Sequence, residues 1–248
     1  MKFREFGSKD KEIIVLLHGG GLSWWSLQKV VDILEKDYHV VAPIIDGHGE
    51  DGENTFLSIE DSAKKFIEYI DSNFGGKVLA IGGLSIGAQI VTEVLSQRGD
   101  IAQYAIIESA LVLPIKGTAA MASTYHLLYG MIKQRWFSKM QAKSLAVPEE
   151  LFEMYYEDSL KISKQSLINI TSSNGNYKLK ASISDTMAKV LIIVGEKEIS
   201  IMKKSAKKLH EAIAGSELHI AESLKHGELS IAYPQKYTEL LKDFMKSR

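Results

Sequence analysis

An α/β fold, with a mostly parallel central sheet flanked by helices, is predicted for this chain by three observations. Short runs rich in Val and Ile alternate with longer stretches whose apolar residues recur at helical spacing. The strand signal disappears between Pro114 and Asp185, where a helical insertion interrupts the alternation. At 248 residues with 45% hydrophobic side chains, the chain is long enough to bury a single large core.

Taken in order, Ile13 to Leu17 reads as a buried strand, because it is apolar at every position. Phe3 to Phe6 is expected to be its hairpin partner across the polar turn from Gly7 to Asp10. Ser23 is placed to cap a helix over Trp24 to Lys36. His39 to Pro43 is the next strand, and Ser58 to Asn73 an amphipathic helix closed by Gly75 and Gly76. Lys77 to Ile81 is a strand, and Ile86 to Gln97 the helix after it, ended by Gly99. Tyr104 to Ile107, Val190 to Val194 and Glu217 to Ile220 complete the strands, and Leu229 to Met245 is a closing helix. The expected organisation is a core of residues 1–113 and 186–248, with residues 114–185 as a helical cap. Pro148 suits the first turn of one cap helix. The cap's Tyr, Met, Trp and Phe content implies an apolar pocket beneath it.

Composition narrows the partners. A formal net charge of −1 gives no global field to attract nucleic acid or an anionic membrane. With no cysteine, disulfides, thiolate metal sites and cysteine nucleophiles are excluded. No stretch approaches the roughly eighteen apolar residues that a membrane span needs, and the charged start from Met1 to Glu12 does not read as a signal peptide. A cytoplasmic location is the expectation. There is no phosphate-binding loop, no dinucleotide fingerprint and no paired metal-ligand spacing, so no cofactor and no metal are expected. The lysines at 203, 204, 207 and 208 space like one solvated helix face.

The chemistry concentrates at Gly83-Leu84-Ser85-Ile86-Gly87, between a strand and a helix. So sharp a turn requires glycine two residues before and two after the serine, and it pushes the hydroxyl out above the sheet. The helix then aims its unpaired N–H groups at the same spot, which favours negative charge developing there. A serine hydroxyl becomes a useful nucleophile only when a base removes its proton, and that base is commonly a histidine steered by a carboxylate. His226, in a polar loop before the closing helix, is the candidate base. His210 and His219 fall inside a helix and a strand and are read as structural. For the acid, the strand ending at Gly195 runs directly into Glu196, Lys197 and Glu198; Glu198 is the first choice, with Glu196 and Glu108 as alternatives. An oxyanion needs two N–H donors: Ile86 can supply one, and Gly20, in the glycine loop after His18, the other, with Gly21 able to replace it. His18 itself is read as holding that loop by hydrogen bonds.

These residues resemble the α/β-hydrolase family, in which the serine, acid and histidine follow one another in the order of Ser85, Glu198 and His226. His18-Gly19-Gly20-Gly21 resembles the family's oxyanion loop, and Gly83 to Gly87 its nucleophile elbow. Asp46-Gly47-His48-Gly49 closes a stretch similar to its Asp-x-x-Gly-His-Gly turn, where Asp46 and His48 are read as structural. Residues 114–185 stand where the family carries its lid. The resemblance implies an esterase-like or lipase-like serine hydrolase acting on carboxylic esters of small to medium apolar compounds. Same-fold lyases and carbon–carbon bond hydrolases, or a lidded ligand-binding receptor, are the alternatives it also implies.

Overall fold

The computed structural model describes residues 1–246. Strands β1 (Lys2–Phe6), β2 (Ile13–Leu17), β3 (His39–Ile44), β4 (Val78–Leu84), β5 (Ala102–Glu108), β6 (Lys189–Gly195) and β7 (Glu217–Ala221) form one seven-stranded sheet in the order β1-β3-β2-β4-β5-β6-β7. β1 is antiparallel to β3, and every other pairing is parallel.

Along β5 and β6 the side chains alternate between two cores, as the period of two requires. Ala105, Ile107, Val190, Ile192 and Val194 face one core; Ile106, Leu191 and Ile193 face the other. The first core is covered by α2 (Ile59–Phe74), α3 (Ile86–Gln97) and α9 (Ser200–Ala212). The second is covered by α1 (Gln28–Leu34) and α11 (Pro234–Lys246). Apolar burial on both faces is what makes these strands read as continuous apolar runs.

The helix α2 has the predicted caps: Ser58 Oγ accepts the Asp61 N–H at 3.1 Å, and Gly75 ends it at φ 63°. Three local expectations are corrected. β1 does not form a hairpin with β2 but pairs with β3, in a register running from Lys2 opposite Ile44 to Phe6 opposite Val40. β2 is apolar on both faces and takes β3 and β4 as neighbours, which leaves the half-polar β1 for the sheet edge. The stretch from Trp24 starts as a 3₁₀ turn over Trp24–Leu27 before α1 begins, and the Ser23 side chain makes no cap. The closing helix is two helices, α10 (Glu228–Ala232) and α11, because Pro234 lacks the N–H that would continue the first.

Between β5 and β6 lie α4 (Thr118–Ser123), α5 (Tyr125–Ile132), α6 (Arg135–Ser144), α7 (Phe152–Lys161) and α8 (Lys164–Asn176). Their attachment beside the sheet is a third apolar cluster, in which Ala142 and Tyr155 meet Leu22, Trp25, Leu84 and Ile231. Tyr177 and Ile183, after α8, already belong to the first core. Gln89, one turn into α3, holds both crossings, its Nε2 donating to Leu111 O at 2.6 Å and to Asn174 O at 3.1 Å. Among the described residues, no helix is long and apolar enough to cross a membrane.

Candidate active site

The chain passes from β2 to β3 on one side, then crosses back to place β4 on the other side of β2. Such a reversal leaves a crevice at the carboxyl ends of the two central strands. The loop after β2 and the turn after β4 both open into it, and this brings Gly20 and Ser85 to one cavity of about 410 Å³.

Ser85 sits at φ 56° and ψ −114°, a conformation that costs a non-glycine residue on the order of 1–3 kcal/mol. Its surroundings hold it there. The Ser85 N–H donates to Glu108 O at 2.9 Å, and its carbonyl accepts the Gln89 N–H at 3.0 Å to start α3. A Cβ on Gly83 would lie 2.6 Å from Ala88 N, and one on Gly87 2.5 Å from His18 O. Both glycines are therefore required by close approach of backbone. Gly20 lies against the start of the same helix: a Cβ there would be 3.6 Å from Ile86 Cγ2. The loop carrying Gly20 is pinned by His18, whose Nδ1 is 2.8 Å from Gly19 O and whose Nε2 accepts the Ile45 N–H at 3.1 Å. Complete burial, with the neighbouring His48, pushes the His18 imidazole down to about 3, so it stays neutral and serves the loop alone.

The three carboxylates considered from the sequence part company. Glu198 Oε2 lies 2.7 Å from His226 Nδ1. Its Oε1 accepts from Ser109 Oγ at 2.7 Å and from the Gly195 N–H at 2.9 Å. Burial would raise this carboxyl, but the contacts with His226, the Gly195 N–H and the Ser109 hydroxyl outweigh it and hold the group below its ordinary range. Glu196 turns instead to the histidine loop's backbone, its Oε2 accepting the Ser223 N–H at 2.8 Å. Glu108 is fully buried and accepts the Ser230 N–H at 3.3 Å, while its second oxygen has no hydrogen-bond partner. Neither is hydrogen-bonded to His226 among the described contacts.

Packing and backbone bonds bring the His226 loop to this edge of the sheet. A Cβ on Gly195 would lie 2.5 Å from Leu224 O and 2.7 Å from Lys225 O, so the strand end and the loop touch only because that residue is glycine. The Lys197 N–H donates to Leu224 O at 2.9 Å. On the far side of His226, Gly227 packs on Leu84, the residue before Ser85. With Nδ1 hydrogen-bonded to Glu198, Nε2 is left as the acceptor of the ring. His210 and His219 lie away from this group; His210 Nδ1 pairs with Ser216 Oγ at 3.0 Å.

Two features escaped the sequence. Ser109, at φ 56° directly after β5, reaches Glu198 because β5 and β6 are neighbours. His48 lines the cavity beside Ser85 as well as bracing its own turn. The cap's aromatic and methionine side chains divide: Met121, Tyr125 and Tyr155 line a largely apolar cavity with Ile115, Ile132 and Ile162. Trp136 and Met140 point outward, 61% and 56% exposed, because α6 buries its Ser138 and Ala142 side instead. The cavity walls mix Tyr125, Ile132 and Tyr155 with His48, Asp158 and Gln141. Among the described residues no cluster of His, Asp and Glu could hold a metal ion.

Known proteins share this architecture. A hydrolase of (E)-2-((N-methylformamido)methylene)succinate from Acinetobacter baylyi is 22% identical over 256 residues, covering 98% of this chain and 93% of that one. A bromoperoxidase from Bacillus anthracis superposes with a TM-score of 0.82 at 17% identity, over 99% of this chain and 95% of the other. A carboxylesterase structure from Nitrososphaera gargenis gives 0.81 at 17% identity, over 98% and 93%. The family model described as serine aminopeptidase, S33, matches residues 8–230. The chain thus belongs to that hydrolase family, within the α/β-hydrolase fold.

Proposed function

We propose that this hydrolase cleaves carboxylic esters through an acyl-enzyme on Ser85. Ser85 Oγ attacks the carbonyl carbon while His226 Nε2 takes its proton; His226 then gives that proton to the departing alcohol oxygen. Water attacks the acyl-enzyme in turn, losing a proton to His226, and the proton returns to Ser85 as the acid leaves. Glu198 fixes the ring and stabilises the imidazolium. The N–H groups of Gly20 and Ile86 receive the negative oxygen, each worth on the order of 3 kcal/mol of barrier. The helices from 118 to 176 act as the cap that covers the bound acyl group, leaving room for the hydrolytic water.

The observation that carries this reading is the 2.7 Å contact between His226 and Glu198, in a loop packed on Leu84 next to a strained Ser85. Labelling by a fluorophosphonate, compared between the native chain and Ser85→Ala, tests the nucleophile. A chain-length series of p-nitrophenyl esters tests the reaction. Selective labelling of Ser85, with hydrolysis abolished by Ser85→Ala and by His226→Ala, is expected. An unlabelled Ser85 would remove the reading.

A second reading is favoured by the Acinetobacter relative, whose named substrate is an N-methylformamido derivative of succinate. Here the Ser85–His226 pair would open a bond other than an ester, as same-fold lyases and carbon–carbon bond hydrolases do with such a pair. Labelling of Ser85 without turnover of any ester would favour it.

A further inference from the structure

The cavity that holds Ser85 has a polar wall which ester cleavage does not use. His48 is only 2% exposed. Its Nδ1 lies 3.0 Å from Asp46 O, and a carbonyl can only accept, so Nδ1 carries the ring hydrogen. Nε2 therefore presents a lone pair, and that atom is buried with no hydrogen-bond partner. Burial lowers the imidazole's affinity for a proton against the pull of Asp46 and Asp158, which keeps the ring neutral.

Asp158, on α7, adjoins it. A Cβ on Gly49, the residue after His48, would be 3.3 Å from Asp158 Oδ2. That oxygen accepts from Trp25 Nε1 at 2.8 Å, and Oδ1 pairs with Lys161 Nζ at 2.9 Å. Ser159, also on the wall, gives its hydroxyl hydrogen to Tyr156 O at 2.7 Å and so offers an oxygen lone pair. The wall is thus a set of acceptors: a neutral imidazole nitrogen, a carboxylate already matched by a lysine, and a hydroxyl oxygen.

A buried acceptor is worth keeping only if a donor reaches it, since leaving it unpaired is unfavourable. We propose that this wall is a subsite for a hydroxyl group of the substrate, with His48 Nε2 accepting from it. The substrate class becomes esters that carry a free hydroxyl away from the scissile carbonyl. A carboxylate placed against His48 and Asp158 is disfavoured because both present acceptors and the second is negatively charged. A protonated amine would give up its hydration beside a carboxylate whose charge Lys161 already balances. The inference rests on the ester-hydrolase reading for the reaction, though not for the binding.

The test uses the Ser85→Ala chain, which keeps the cavity and removes the nucleophile. Calorimetry compares ethyl esters of ω-hydroxy fatty acids with their unsubstituted counterparts, and alkyl acetates with ω-hydroxyalkyl acetates, across short to medium chains. The hydroxylated member of one set is expected to bind about tenfold more tightly, and the native chain to show the same ratio in kcat/KM. His48→Asn keeps an N–H for Asp46 O while deleting the acceptor, and should bring the ratio close to one. Asp158→Asn, which can still accept from Trp25, should lower it part way and serves if His48→Asn fails to fold. Equal binding in both sets, no binding by any member, or tighter binding of an ω-amino ester than of the ω-hydroxy ester would each overturn the proposal. A hydroxyl preference in binding without ester turnover keeps the subsite and removes the esterase reading. Turnover without any preference does the reverse.

Discussion

Replacing Glu108 by glutamine should make the protein's stability respond differently to pH. The residue is 1% exposed, one carboxyl oxygen accepts the Ser230 N–H at 3.3 Å, and the other has no hydrogen-bond partner. Burial pushes this carboxyl from an ordinary 4.5 up to about 7. The native state therefore holds a proton that the unfolded chain releases, and folding takes up a proton between about pH 4.5 and 7. Stability from this group is fully present below pH 4.5, falls as pH rises through that window, and stays level above it. The difference of 7 − 4.5, about 2.5 units, corresponds to a loss of about 3 kcal/mol. Glutamine has the shape of the protonated acid, can accept from Ser230 and does not titrate. Urea unfolding of both proteins near pH 4.5 and near pH 8 should show the stability of Glu108→Gln gaining about 3 kcal/mol on the native chain across the interval. A difference that is the same at both ends would refute the reasoning. Turnover should survive this substitution, because Glu108 is not bonded to His226; a loss of several orders of magnitude would move the orienting role from Glu198 to Glu108.

Other expectations concern the same cluster. Glu198→Gln should lower kcat about 10³- to 10⁴-fold in the p-nitrophenyl ester assay, with Ser85 still present and the fold intact by circular dichroism. Ser109→Ala removes one of the donors to Glu198 and should cost about tenfold in kcat, with little change in KM. Gly195→Ala drives a methyl group into the carbonyls of Leu224 and Lys225, so fluorophosphonate labelling should slow by far more than the melting temperature suggests. Gly87→Ala places a Cβ 2.5 Å from His18 O and should destabilise by about 3 kcal/mol in urea unfolding.

Much of the site was legible because it depends on local chemistry. The Gly83–Gly87 turn, the glycine loop after His18 and the carboxylates at the end of β6 announce themselves by residue type beside a strand. Errors occurred where several positions had nearly equal local claims. The hairpin between β1 and β2 was plausible from the turn alone, yet an apolar strand like β2 is stabilised more by two parallel neighbours and helices on both faces than by a half-polar partner. The cap's composition implies an apolar pocket but not which residues line it: Trp136 and Met140 are exposed, because helical spacing does not say which side of α6 meets the core.

The sequence by itself determined the α/β class, the glycine-flanked serine turn and the short list of imidazole and carboxylate candidates for the site. Only the tertiary structure decided that Glu198 and not Glu108 or Glu196 lies against His226, that Ser109 hydrogen-bonds to it, and that His48, with a buried unpartnered nitrogen, lies at the cavity wall. The reason is physical: turns and periodicities are fixed by neighbours along the chain, whereas these contacts join strand ends and loops far apart in sequence, brought together by the order of strands in the sheet.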